Sequence, residues 1–129
     1  MNLDRNDIKM STIETKYYYN GDNVTCELFA TLKTPDVFDA LFGPIVKVVK
    51  ATAKCHPEDK YNKRLGERIA LARAESKAYA QLTHELNKRY EYVVEAIETL
   101  APYRIAFNEK SEKSIKHNTE YIKQLPSKY

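Results

Sequence analysis

The stretch KRLGERIALARAESKAYAQLTHELNKRYEYVVEAIETL, Lys63 to Leu100, decides the fold. It holds no proline and a single glycine, Gly66. Apolar or small residues recur at Leu65, Ile69, Ala72, Ser76, Tyr79, Leu82, Leu86, Tyr90, Val93, Ile97 and Leu100, always three or four apart. That spacing draws one stripe along an α-helix. At about 1.5 Å per residue the helix runs roughly 57 Å, longer than a chain of this size is wide. The far half therefore has to lie against something. Either the helix breaks near His84 to Arg89, where polar residues crowd around Leu86, or it projects and pairs with another copy.

Ala101-Pro102 reads as the end of that helix, because proline cannot continue one. Tyr103 to Phe107 is then a short apolar link. Asn108 or Ser111 caps a last helix carrying Ile115, Ile122 and Leu125, closed by Pro126.

On the N-terminal side the period changes to two. Ser11 to Tyr19 sets Ile13, Thr15, Tyr17 and Tyr19 on one face; Val24 to Leu32 sets Val24, Cys26, Leu28, Ala30 and Leu32 on one side. Between them stands Asn20-Gly21-Asp22-Asn23, a turn sequence, so the two runs predict a β-hairpin. Thr34-Pro35-Asp36 starts a short helix, with Thr34 as N-cap and Pro35 in the first helical position, and Gly43-Pro44 stops it. Ile45 to Cys55 is a third strand, with Ile45, Val49, Ala51, Ala53 and Cys55 inward. Strands first and helices after give an α+β protein: an N-terminal antiparallel sheet, then the long C-terminal helix and a short final helix. Residues 1–10 read as a flexible leader and 11–129 as a single domain.

The chain has 129 residues, 43% hydrophobic and 30% charged, an ordinary globular composition. A net charge of +3 suits an anionic partner without demanding one. The two cysteines, a polar N-terminus and the lack of a membrane-length apolar run predict a reducing, cytosolic setting with free thiols. Ten tyrosines and no tryptophan stand out. Tyrosine suits interfaces and nucleotide pockets, although an AT-rich genome produces the same excess.

Cys55-His56 with Glu58 and Asp59 is the densest group of potential metal ligands. It lacks the paired spacing of a zinc site, and neighbours on a strand point to opposite faces. It reads instead as a strand end running into a proline-led turn, with no metal. No P-loop, G-x-S-x-G or G-x-G-x-x-G is present, so the sequence points to binding and not to catalysis. Arg64 and Arg68 share a face at the start of the long helix, where an anion is favoured, or else pair with Glu67 and Glu75 as a solvated face. In Tyr103-Arg104-x-x-Phe107-Asn108, Arg104 can grip a phosphate, Phe107 stack a base and Asn108 read its edge; alternatively Tyr103 and Phe107 belong to the core. Tyr17-Tyr18-Tyr19 can stack bases, or form a strand exposing one tyrosine and burying two.

The run Ala51-x-Ala53-x-Cys55-x-Pro57-x-Asp59-x-Tyr61-x4-Gly66-x2-Ile69-Ala70-x-Ala72-Arg73-Ala74 is similar to a strand–turn–helix unit of small phage and prophage proteins. It also looks like the end of a domain with the double-stranded-RNA-binding-like fold. In plan, the chain resembles the Thoeris anti-defence sponge family, with its β-sheet, long C-terminal helices and obligate pairing. Members of that family bind a cyclic ADP-ribose isomer without cleaving it. The resemblance implies a non-catalytic homo-oligomer, a dimer or higher, in the cytoplasm of an infected bacterium, with a small cyclic nucleotide as partner and no cofactor. It implies arginine on the pyrophosphate and an aromatic on the adenine: Arg104, Phe107 and Asn108 first, Arg64 and Arg68 second. The RNA-binding-like resemblance implies nucleic acid instead, but Lys63-Arg64 is followed by Leu65-Gly66-Glu67 where such domains place paired lysines. An inhibitor that docks its long helix on a host protein is the third reading.

Overall fold

The structure, a computed structural model, describes residues 5–54 and 62–126. After a 3-10 turn at Arg5–Asp7 come β1 (Met10–Asn20), β2 (Asn23–Leu32), α1 (Asp36–Phe42), β3 (Ile45–Lys54) and α2 (Lys63–Lys123). The sheet is antiparallel in the order β1-β2-β3. The α+β class and the three expected strands are present. Contacts divide the chain into two compact units, Met1–Lys88 and Arg89–Tyr129, which are described in turn.

In the first unit Gly21 closes the hairpin with φ 60°. It occupies the first of the two turn positions between Asn20 and Asn23, where a type II′ turn needs positive φ. Alternation then sorts β2: Val24, Cys26, Leu28 and Ala30 are all fully buried. Ile45, Val49 and Ala53 of β3 join them, with Ala51 half-buried on the same side and Val46 and Val48 exposed on the other. In β1 the register shifts between Thr12 and Glu14, so Ile13 sits in a bulge and is 61% exposed. The expected place of Ile13 on one face with Thr15, Tyr17 and Tyr19 is thereby corrected, because an extra residue reverses the alternation beyond it.

The helical stripe also needs correction. The residues of α2 buried against the sheet are Ala70, Ala74, Ala78 and Leu82, while Leu65, Ile69 and Tyr79 are 50%, 38% and 54% exposed. The chosen face lies about 100° around the helix from the large residues. Alanines every fourth position let the helix axis settle close to the strands, and bulkier side chains would hold it off. Gly66 extends the strip by one turn: a Cβ there would stand 3.0 Å from Cγ2 of the buried Val24. Gly66→Leu is therefore expected to cost about 1–3 kcal/mol through overpacking, read from the urea midpoint by circular dichroism.

Polar contacts fix the helix along β3. Arg73 Nη1 donates to the Thr52 carbonyl at 2.9 Å and Lys77 Nζ to the Lys50 carbonyl at 3.1 Å. Residues one helical turn apart thus reach carbonyls two residues apart on the edge strand. Lys47 and Glu85 form a half-buried ion pair at 3.6 Å. At α1 the expected cap is not made. Pro35 holds the N-cap position without a side-chain bond, and the buried Thr34 hydroxyl has no partner. With proline fixed at φ −52° and ψ 148°, the helix begins one residue later than expected.

The second unit is helical from Arg89 to Lys123, and none of its described residues is buried. The helix shows no break at His84 to Arg89 and none at Pro102, which lies inside it. The short final helix is accordingly part of α2. Proline forfeits one hydrogen bond and crowds the carbonyl four residues back, a penalty of about 3 kcal/mol. From Tyr103 to Lys123, however, no glycine or turn sequence offers the chain another course. The helix closes with Gln124 N–H on the Tyr121 carbonyl and Leu125 N–H on that of Ile122, just before Pro126.

Candidate functional site

The expected site residues fall into two groups, one in each unit. The first is at the start of α2. Asn62 caps it: Oδ1 accepts the Leu65 N–H at 3.1 Å and the Asn62 carbonyl accepts that of Gly66 at 2.9 Å. Arg64 and Arg68 are exposed one turn apart. The carboxylate between them, Glu67, accepts a hydrogen bond from the Tyr19 hydroxyl on β1. Lys63 Nζ lies 4.6 Å from the centre of the Tyr19 ring. Among the described residues neither arginine forms an ion pair, so the alternative of a helix face laced by Glu67 and Glu75 is not realised. No acidic residue occupies the first turn of α2. Cations gather at this helix N-terminus, whose dipole favours negative charge, an arrangement that attracts anions.

The second group is Arg104, Phe107 and Asn108. Spaced three and four apart on an unbroken helix, they share one face within a single turn, all exposed. Tyr103 is also exposed, so neither it nor Phe107 enters a core within the unit. On this unit two open grooves follow the helix surface, one lined by Tyr92, Glu95, Ala96, Thr99, Leu100 and Tyr103, the other including Lys110, Lys113 and His117. Neither is enclosed. The residues around Tyr92 and Glu95 carry no sequence signal because they lie on the face beside the apolar stripe.

Comparisons with protein-family models, characterised proteins and solved structures found no match. The geometry therefore speaks for itself. Among the described residues no three His, Cys, Asp or Glu side chains gather to hold a metal ion. Cys55, His56, Glu58 and Asp59 lie outside the described residues. No described helix is long and apolar enough to cross a membrane.

Of the tyrosine run, Tyr17 turns toward the helix and is half-buried. Tyr18 and Tyr19 are 48% and 47% exposed, so one tyrosine is sheltered where two were expected. Tyr18 shares the outer sheet face with Glu27 and Lys50: its hydroxyl donates to Glu27 Oε1 at 3.3 Å, and Lys50 pairs with Glu27 at 3.3 Å. That small network leaves the Tyr18 ring beneath Lys50, at 5.8 Å.

Cys26 is free and buried. Burial raises its pKa, and Glu75 adds to the rise. Tyr17 is raised by burial too, helped by Cys26, Glu67 and Glu75. A raised thiol is a poor nucleophile. Both groups hold their protons more tightly in the folded chain. Their contribution to stability is thus complete below the unfolded thiol's range, near pH 8.5, and is lost as pH rises through the folded values. Urea midpoints are expected to fall between pH 7.5 and 9.5, and to fall less in Cys26→Ala.

Proposed function

We propose that the protein is a non-catalytic, homo-oligomeric binder of a small cyclic nucleotide of the cyclic ADP-ribose isomer class, acting in the cytoplasm of an infected bacterium. The observation that carries this reading is the placement of Arg104, Phe107 and Asn108 on one open helix face. A guanidinium offers paired donors to a phosphate, a phenyl ring offers a stacking face, and an amide offers both a donor and an acceptor. One helix supplies only one wall. A second copy supplies the other, and the unburied apolar stripe of the same unit, including Ile97 and Leu100 at 60% exposure each, gives that copy something to bind.

The test is native mass spectrometry of protein purified from cells that make the immune signal, followed by denaturation. The reading requires an adduct of several hundred daltons that is released chemically intact. Recovery of a cleaved product, or an oligomer carrying no adduct in the presence of signal, rejects it.

A second reading, nucleic-acid binding, draws on the other group. Lys63 lies beside Tyr19, and Lys63, Arg64 and Arg68 are all exposed. It requires affinity for RNA that drops steeply with salt and weakens in the Arg64→Ala, Arg68→Ala double variant. A flat salt response rejects it.

A further inference from the structure

We propose that β1 takes a basic, extended segment of another protein as a fourth strand of the sheet. The proposal stands apart from the nucleotide reading, which concerns Arg104, Phe107 and Asn108 in the other unit.

Register fixes which backbone groups of β1 are on offer. In an antiparallel ladder, successive residues of an edge strand turn their N–H and C=O alternately toward the neighbouring strand and away from it. Asn20 and Asn23 close the two-residue turn and are therefore a hydrogen-bonded pair. Counting back, Tyr18 and Lys16 bond to Thr25 and Glu27, and Tyr17 and Thr15 turn outward. The far edge agrees. Thr52 and Lys50 lie opposite the same Thr25 and Glu27, and their carbonyls also point away from β2, toward Arg73 and Lys77. Among the described residues nothing bonds the backbone of Thr15 or Tyr17 on that outward side. The bulge at Thr12–Glu14 ends the regular ladder, so the available stretch is short. Thr15 and Tyr17 each present a donor and an acceptor in strand geometry, which an antiparallel strand matches at both positions.

The helix decides which side chains that strand carries. Glu67, Leu71 and Glu75 follow one another a turn apart on the side of α2 toward β1. Glu67 accepts from the Tyr19 hydroxyl, Leu71 and Tyr17 both pack against the core, and both carboxylates act on the Tyr17 phenol. Among the described residues neither carboxylate forms an ion pair. A residue placed opposite Tyr17 or Thr15 shares their face of the sheet and so lies beneath this row. An apolar side chain between two carboxylates suits lysine or arginine, whose stem lies on Leu71 and whose head reaches Glu67 or Glu75. Lys63 sits over the Tyr19 ring at one end of the row, and Lys16 pairs with Glu14 on the opposite face. The same acids disfavour a second copy here, because β1 against β1 about Tyr17 sets Glu67 and Glu75 toward like charges.

The probe is a short blocked peptide alternating lysine with valine, compared with one alternating glutamate with valine, each added to the full chain. The chain's net charge is +3, so attraction of the lysine peptide has to be local. The expected result is saturable binding of the lysine peptide alone, with slowed amide exchange at Thr15 and Tyr17. Binding is expected to weaken about tenfold in the Glu67→Gln, Glu75→Gln double variant, as for two partly exposed ion pairs. It is expected to vanish in Thr15→Pro, which removes an outward N–H and leaves the bonds between β1 and β2 in place. The exchange measurement and the glutamine variant read the same contact without a change of backbone. No binding at millimolar peptide, equal binding of the two peptides, or binding without protection at Thr15 and Tyr17 overturns the proposal. So does binding that is unchanged in the glutamine double variant. Protection of those amides that grows with protein concentration alone assigns the edge to a second copy and overturns it as well.

Discussion

Leu28→Ala is expected to remove about 2–5 kcal/mol of unfolding free energy, toward the upper end of that range. Leu28 is fully buried on the middle strand, between Thr15 of β1 and Val49 of β3. The deletion loses the transfer free energy of the missing carbons and leaves a hole. How far the hole collapses depends on whether neighbours can turn into it. Here the helix that covers the sheet presents mostly alanines, Ala70, Ala74 and Ala78 beside Leu82, and alanine has no rotamers to offer. The cavity therefore stays open, and its lining loses dispersion contacts that nothing replaces. Urea unfolding followed by helical circular dichroism, at fixed protein concentration, measures the effect. A loss below about 1 kcal/mol would show that the sheet and helix are not joined at this residue.

Ala74→Leu is the second large effect, an expected loss of about 1–3 kcal/mol. Ala74 is fully buried at the centre of the alanine strip. Three added carbons have nowhere to go except between α2 and the strands. The informative comparison is Ile69→Ala, which removes carbons from a residue that is 38% exposed and is expected to cost less than 1 kcal/mol in the isolated unit. If the large residues formed the core and the alanines faced solvent, the two values would be reversed. The pair of variants thus decides which face of the helix holds the sheet.

That same contrast explains what was legible in the sequence. Strand alternation in β2 names every buried residue correctly, because period two offers only two faces and one of them, apart from Phe29, is polar. The helix offered two apolar stripes. Periodicity alone favoured the one with larger residues, since hydrophobic scales reward size. Packing favoured the one with smaller residues, since a helix lying on a sheet gains most by close approach. Ile13 was misplaced for a related reason: a bulge leaves no mark in an alternating pattern. Pro102 misled in the opposite direction, because a local penalty was read as an end when no competing structure existed to exploit it. Among the site residues, helical spacing brings Arg64 with Arg68 as expected, and it brings Arg104 with Phe107 and Asn108 only because the helix continues through Pro102, where the sequence predicts a link outside any helix. The Tyr19–Glu67 hydrogen bond spans distant positions and has no sequence signal.

The bonds from Arg73 and Lys77 to the edge of β3 have a consequence for how molecules of this protein can stack. A strand at a sheet margin is a template, and a sheet with two open margins can add neighbours on both sides without limit. Here two side chains from α2 already occupy the outward carbonyls of Thr52 and Lys50. That part of the β3 margin is less open to an added strand, so two cations whose evident task is to seat a helix also blunt a template for strand addition.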